Sequence, residues 1–273
     1  MILFLILNLG ASRGIGLGLV KNILAHLPEA RVVATCRNPS SATELNELSK
    51  TFSKDRLLIL PLNVTDSESH KTVVGRLTEE GVASLDVVIA NAGIASENGE
   101  DRATKSSGVD MLNVFNTNVV GSMLSMQAYH GLLCAGGSKL LMVVSSVLAS
   151  IEMTPVTGGC MTSYRTSKAA LNMLATVYAE DADVRAAGAK VVALHPGTVL
   201  QLLYGDALLC VTIISYIYTC SIGWVQTDMG QSGGRKAPVT VEDSVGGIVS
   251  VMQAAAGDNN CVFVGFDGKL YPW

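Results

Sequence analysis

The chain has 273 residues, 49% of them hydrophobic, with 19 Lys and Arg against 23 Asp and Glu and a formal net charge of −4. That length fits one large domain with a sizeable core, and the slight acidity, without a basic patch or arginine-rich run, argues against nucleic acid as a partner. Cys36, Cys134, Cys160, Cys210, Cys220 and Cys261 include no C-x-x-C pair and no neighbouring His cluster, so reduced thiols in a cytoplasmic protein are expected, with no disulfide framework and no metal site.

In chain order, "ILFLILN" (2–8) reads as a buried strand: it lacks the basic start and small-residue cleavage site of a signal peptide. Residues 14–27 read as a helix with Ile15, Leu19, Ile23 and Leu27 on one face. Strands follow at 31–36, 57–60, 85–90, 139–145, 190–195 and 261–266. Between them lie helices over 42–52, 67–80, much of 109–133, 162–187 and 241–255. The strands are near-continuous β-branched and aliphatic runs, as when helices cover both faces of a sheet. This alternation predicts a single doubly wound α/β Rossmann domain over 1–273, with a parallel sheet of about seven strands.

"GASRGIG" (10–16) follows the first strand and opens the first helix. Its glycines permit a tight turn and let backbone approach a phosphate, while the helix N-terminus supplies free N–H groups and the positive dipole end. Further on, "SYRTSKAALN" (163–172) places Tyr164 and Lys168 one helical turn apart, on one face. A phenol with a pKa of about 10 is a poor acid–base group at neutral pH, and an adjacent ammonium is expected to lower it.

The G-x-x-x-G-x-G spacing, together with Y-x-x-x-K, resembles the short-chain dehydrogenase/reductase family. The resemblance extends through "ANAG" (90–93), "FNTNVVGS" with Asn118, "VVSSVLAS" (143–150) and "LHPG" (194–197), in order along nearly the whole chain. It implies that Ser146 orients the substrate carbonyl, Tyr164 is the proton donor, Lys168 tunes Tyr164 and holds the nicotinamide ribose, and Asn118 keeps a proton-relay water chain. Ser145, the rival serine, is read as structural. The cofactor is expected against Gly10, Ser12, Arg13, Gly14, Ile15, Gly16, Arg37, Asn63, Val64, Asn91, Ala92, Gly93, Tyr164, Lys168, Pro196, Gly197, Val225 and Thr227.

NADP is expected over NAD. The second strand ends Cys36-Arg37-Asn38, without the carboxylate that binds a ribose 2′-hydroxyl, and Arg37 with Arg13 could clamp a 2′-phosphate. Two positions depart from the family pattern: Leu9 replaces a turn-stabilising Thr, and Asn63 replaces an Asp beside the adenine, where its amide oxygen can still accept. "SSVLASI", "YRTSKAALNML", "VQTDMG" and "DGKLYPW" resemble the sniffer/C-factor-like carbonyl reductases and fungal ketoreductases similar to the norsolorinic acid ketoreductase. The resemblance implies an NADPH-dependent reductase of a ketone or aldehyde, aromatic or polyketide-derived among the options, working as a homo-oligomer. The rival reading is a catalytically idle nucleotide-binding scaffold.

The stretch 207–227 carries no Asp, Glu, Lys or Arg and contains "LLCVTIISYIYTC" (208–220). Its length suits a membrane span. A single crossing would, however, strand the last helix and strand on the far side, so stable membrane insertion is not expected. A substrate lid is a second reading, although lids that open to water are rarely so apolar. Removing 198–223 joins "LHPG" to "WVQTDMG", an uninterrupted loop of the family's type, and the codons at both joins permit intron boundaries. The insertion is therefore read as a translated retained intron.

Overall fold

A computed structural model describes residues 4–97, 101–199, 222–223, 225–231, 237–255 and 261–273. Its main sheet comprises β1 (Phe4–Leu9), β2 (Ala30–Cys36), β3 (Leu57–Pro61), β4 (Val87–Ala90), β5 (Leu140–Val144), β6 (Lys190–His195) and β9 (Val262–Gly265). These seven strands run in the order β3-β2-β1-β4-β5-β6-β9, all parallel. The expected architecture is thus present. The order reverses between β1 and β4, which opens a crevice beyond their carboxyl ends.

Alternate residues of the strands feed two cores. Ile6, Val32, Ala34 and Val87 face α1 (Gly14–His26), α2 (Thr43–Thr51) and α10 (Val241–Ala254). Leu5, Leu7, Val33 and Val88 face α3 (Ser67–Glu79), α5 (Gly121–Cys134) and α7 (Thr162–Glu180). Burial on both faces explains why the strands read as unbroken apolar runs.

Two predicted helices are subdivided. The helix within 109–133 is α4 (Gly108–Phe115), a π-helical turn (Asn116–Val120) and α5. The helix over 162–187 is α7 and then α8 (Ala182–Ala187), broken where Asp181 accepts a hydrogen bond from the Asp183 amide. Two short helices, α6 (Thr154–Thr157) and α9 (Asp228–Gln231), have no counterpart in the sequence reading.

Most of the insertion, including 208–220, lies outside the described residues. Its two ends pair antiparallel as β7 (Thr198–Val199) and β8 (Ile222–Gly223), Thr198 opposite Gly223. Among the described residues no helix is long and apolar enough to cross a membrane, and no cluster of ligating side chains suits a metal.

Candidate active site

The glycine turn is built by close approach. Gly10 has φ +85°, and a Cβ there would lie 3.0 Å from the Ala92 backbone. A Cβ on Gly16 would sit 2.2 Å from the Gly10 carbonyl oxygen and 2.5 Å from Asn91 Nδ2. Asn91 Nδ2 donates to that same carbonyl at 2.9 Å, pinning the end of β4 to the turn. Gly14 has φ +55°, and Thr227 packs 3.2 Å from the place its Cβ would take. The Gly10 and Ala11 amides are held by the Thr35 carbonyl, at 3.1 and 2.8 Å. Leu9, where a Thr is usual, is buried.

The turn therefore brings together Gly10, Gly14, Gly16, Asn91, Ala92 and Thr227. Ser12 and Arg13 lie on the same turn, and Ile15 packs inward against the core. Pro196 and the buried Gly197 follow β6, and the Ser244 hydroxyl holds the Pro196 carbonyl at 2.6 Å. Val225 is buried and bridged to Val239. Val64 packs against Gly121 beside a narrow crevice that Ala92 also lines.

Two of the expected cofactor residues, Arg13 and Asn63, have partners within the chain. Arg13 Nη1 is 3.0 Å from Asp228 Oδ2, and Arg37 is exposed just past β2. Asn63 turns its amide oxygen to the Thr65 hydroxyl at 3.0 Å, closing a local turn, so an adenine would compete with an internal donor.

Tyr164 and Lys168 project from the first turns of α7. The Lys168 ammonium lies 5.7 Å from the centre of the Tyr164 ring and donates to the Val144 carbonyl at 2.6 Å. Burial pushes the Tyr164 phenol up to about 12, opposed by its hydrogen bond with Ser146. Burial likewise brings Lys168 down to about 8. The expectation that Lys168 lowers the phenol's pKa is thus corrected. The ammonium faces the ring and a strand carbonyl, and loss of hydration outweighs it.

Ser146 and Ser145 part company beyond β5. Ser146 lies beside the Tyr164 phenol and accepts from the Leu148 amide at 3.2 Å. Ser145 donates to Asn172 Oδ1 at 2.5 Å, a buried bond to the middle of α7. Asn118, fully buried in the π-helical turn, accepts from the Ile94 amide at 2.8 Å and donates to the Ile94 carbonyl and Ser167 hydroxyl, each at 2.9 Å. Its side chain is a strut between the 90–94 turn and α7. Gly93 is small for the same reason: a Cβ would come 3.2 Å from Asn118 Oδ1 and 3.3 Å from Lys168 Nζ.

Sequence reasoning missed Asp101, Arg165 and Thr157, which brace the start of α7. All three are buried. No local signal marks Asp101, whose partner Ser163 is 62 residues away in sequence, and Arg165 bonds Thr157 and Cys160 across the turn that leads into α7.

A family model for short chain dehydrogenase matches residues 5–203. The short-chain dehydrogenase srdF of Neurospora crassa is 30% identical over 97% of this chain and 95% of its own. The norsolorinic acid ketoreductase of Aspergillus parasiticus is 28% identical over 97% and 89%. Among solved structures, the carbonyl reductase Sniffer of Drosophila melanogaster aligns with a TM-score of 0.79 and 30% identity over 100% of both chains. NADPH-bound carbonyl reductase from chicken fatty liver aligns at 0.78 and 32%, again over 100% of both. A Rossmann sheet with a glycine turn and a Ser–Tyr–Lys cluster defines a nucleotide-dependent oxidoreductase. The chain belongs to the short-chain dehydrogenase family.

Proposed function

We propose that this protein is an NADPH-dependent carbonyl reductase acting on a ketone or aldehyde. The observation that carries the reading is the grouping of Ser146 beside the Tyr164 phenol with Lys168 over the Tyr164 ring. These groups and a glycine cradle whose close contacts tolerate no side chains both lie beyond the carboxyl ends of the strands. The similarity to carbonyl reductases and a ketoreductase supports it.

The cradle's geometry and the exposed amides of α1 suit a pyrophosphate, and NADPH bound there supplies a hydride. The chain's own residues do the rest. Tyr164, protonated throughout the neutral range, gives its proton to the oxygen that becomes an alkoxide. Ser146 donates a hydrogen bond to that same oxygen, stabilising charge where it develops. Lys168 supplies positive charge beside the phenol and a donor for the ribose. Arg37, with no carboxylate beside it, favours the 2′-phosphate. Homo-oligomerisation is supported by exposed Val109 and Leu112 on α4 and Met173 and Val177 on α7, helices that pack together. Residues 198–223 are read as an insertion that the working enzyme does not need.

The test is NADPH oxidation followed across a panel of ketones, aldehydes and quinones, with wild type beside Tyr164→Phe. Turnover by wild type and its loss in the variant support the reading. NADPH binding without turnover of any carbonyl would replace it with the nucleotide-binding scaffold.

A further inference from the structure

Helix α7 begins without a cap of its own. The residue before it, Met161, has φ +61° and no side chain able to accept from the first amides. A helix start leaves its first N–H groups without intrahelical partners, and this start carries Tyr164. The missing acceptors come from Asp101, in the loop after β4. Its carbonyl oxygen accepts from the Thr162 amide at 3.0 Å. Its carboxylate accepts from the Ser163 amide at 2.9 Å and the Ser163 hydroxyl at 3.1 Å. The Ser106 hydroxyl donates to Oδ1 at 2.7 Å. Asp101 is buried, so its charge is balanced by these donors and by the positive end of the α7 dipole.

The residue on the other side of Tyr164 is anchored to a different loop. Arg165, also buried, donates to the Cys160 carbonyl at 2.7 Å and to the Thr157 hydroxyl and carbonyl at 2.9 and 2.7 Å. Tyr164 thus stands between two buried polar neighbours. Ser163 is bound to the loop after β4, and Arg165 to the loop after β5.

We propose that Asp101 is a positioning residue for Tyr164: it caps the catalytic helix from a separate loop and, opposite the Arg165 strap, fixes the phenol against Ser146. The proposal rests on the carbonyl reductase reading. Small displacements of a proton donor lower turnover much more than binding, so the effect should fall on kcat.

The experiment measures kcat and NADPH affinity, by cofactor fluorescence, for wild type, Asp101→Asn and Asp101→Ala. Asn keeps an oxygen for the Ser163 amide but loses the charge, so kcat should fall about threefold. Ala removes the carboxylate cap, and kcat should fall on the order of tenfold to a hundredfold. NADPH affinity should stay within about twofold in both. A flat kcat series, or NADPH affinity lost in parallel with kcat, overturns the proposal. If Asp101→Ala does not fold, Asp101→Asn decides by the same two readouts. Tyr164→Phe separates failure of the parent reading: if it turns over like wild type, the carbonyl reductase assignment falls. Amide exchange over 162–165 then judges the cap, faster in Asp101→Asn if the cap holds and unchanged if it does not.

Discussion

Ser145 and Ser146 are adjacent, yet their hydroxyls meet different parts of α7: Ser145 donates to Asn172 in the middle of the helix, whereas Ser146 lies beside the Tyr164 phenol in its first turn. Ser146→Ala should therefore lower kcat by roughly a hundredfold, as removal of one aimed donor does, with little change in melting temperature. Ser145→Ala should keep most of kcat but destabilise the fold by about 1–3 kcal/mol, because Asn172 Oδ1 loses its buried donor. Steady-state kinetics and thermal melts on both variants check this, and the reverse pattern would mean that Ser145 is the catalytic serine.

Much of the site was legible because its signals are local. Hydrophobic runs marked the strands, glycines marked the turn, and a four-residue interval put Tyr164 and Lys168 on one helix face. What escaped depends on tertiary contacts. The π-helical turn at Asn116–Val120 accompanies Asn118 bonding inward to Ile94 and Ser167, which periodicity does not reveal. The cap of α7 comes from Asp101, distant in sequence. The break at Asp181 is different: an Asp that bonds the amide two residues on is a local cap signal.

Cofactor preference should respond unequally to the two arginines. Arg37→Asp should shift kcat/KM toward NADH, because a carboxylate repels the 2′-phosphate and accepts from a 2′-hydroxyl. Arg13→Ala should matter less, since Arg13 already pairs with Asp228. That pair is 73% and 78% exposed at its side chains, hence weak, and Asp228→Asn should modestly raise NADPH affinity by releasing Arg13. Fluorescence titration with both cofactors reads all three, and equal effects of the two arginine variants would refute the assignment.

Lys168 and Tyr164 predict opposite pH responses. Lys168 sits at about 8 against an ordinary 10.5, so kcat for reduction should decline as pH rises through about 8 and the ammonium is lost. Stability moves the other way. Between about 8 and 10.5 the unfolded chain holds a proton on Lys168 that the folded chain has released, so stability rises with pH there. Tyr164, raised from 10.0 to about 12, keeps its proton longer when folded, and its contribution to stability is lost as pH rises between those values. Lys168→Met should abolish the rise between 8 and 10.5, measured by denaturant unfolding. A kcat decline centred near 12 would show that the ammonium is not required.

The insertion should be removable, because both its flanks are held without it. Upstream, Gly197 is buried and the Pro196 carbonyl is fixed by Ser244 at 2.6 Å. Downstream, the Gln226 amide donates to the Val239 carbonyl at 2.8 Å, and Gln226 Nε2 donates to the Ala237 carbonyl at 3.0 Å. Thr198 and Gly223 are register partners across the two-stranded ladder, a separation of about 5 Å, only slightly more than one peptide step of about 3.8 Å. The insertion thus leaves and re-enters the fold at neighbouring points, and its removal restores the loop "LHPGWVQTDMG". The variant lacking 198–223 should express with higher soluble yield, since it sheds an apolar run with no Asp, Glu, Lys or Arg. It should reduce carbonyls at least as fast as the full chain. We propose on the same grounds that 198–223 is translated intron, and sequencing of the mature transcript tests this directly. A message that encodes "LLCVTIISYIYTC", together with lower activity of the shortened chain, would establish the segment as a working lid.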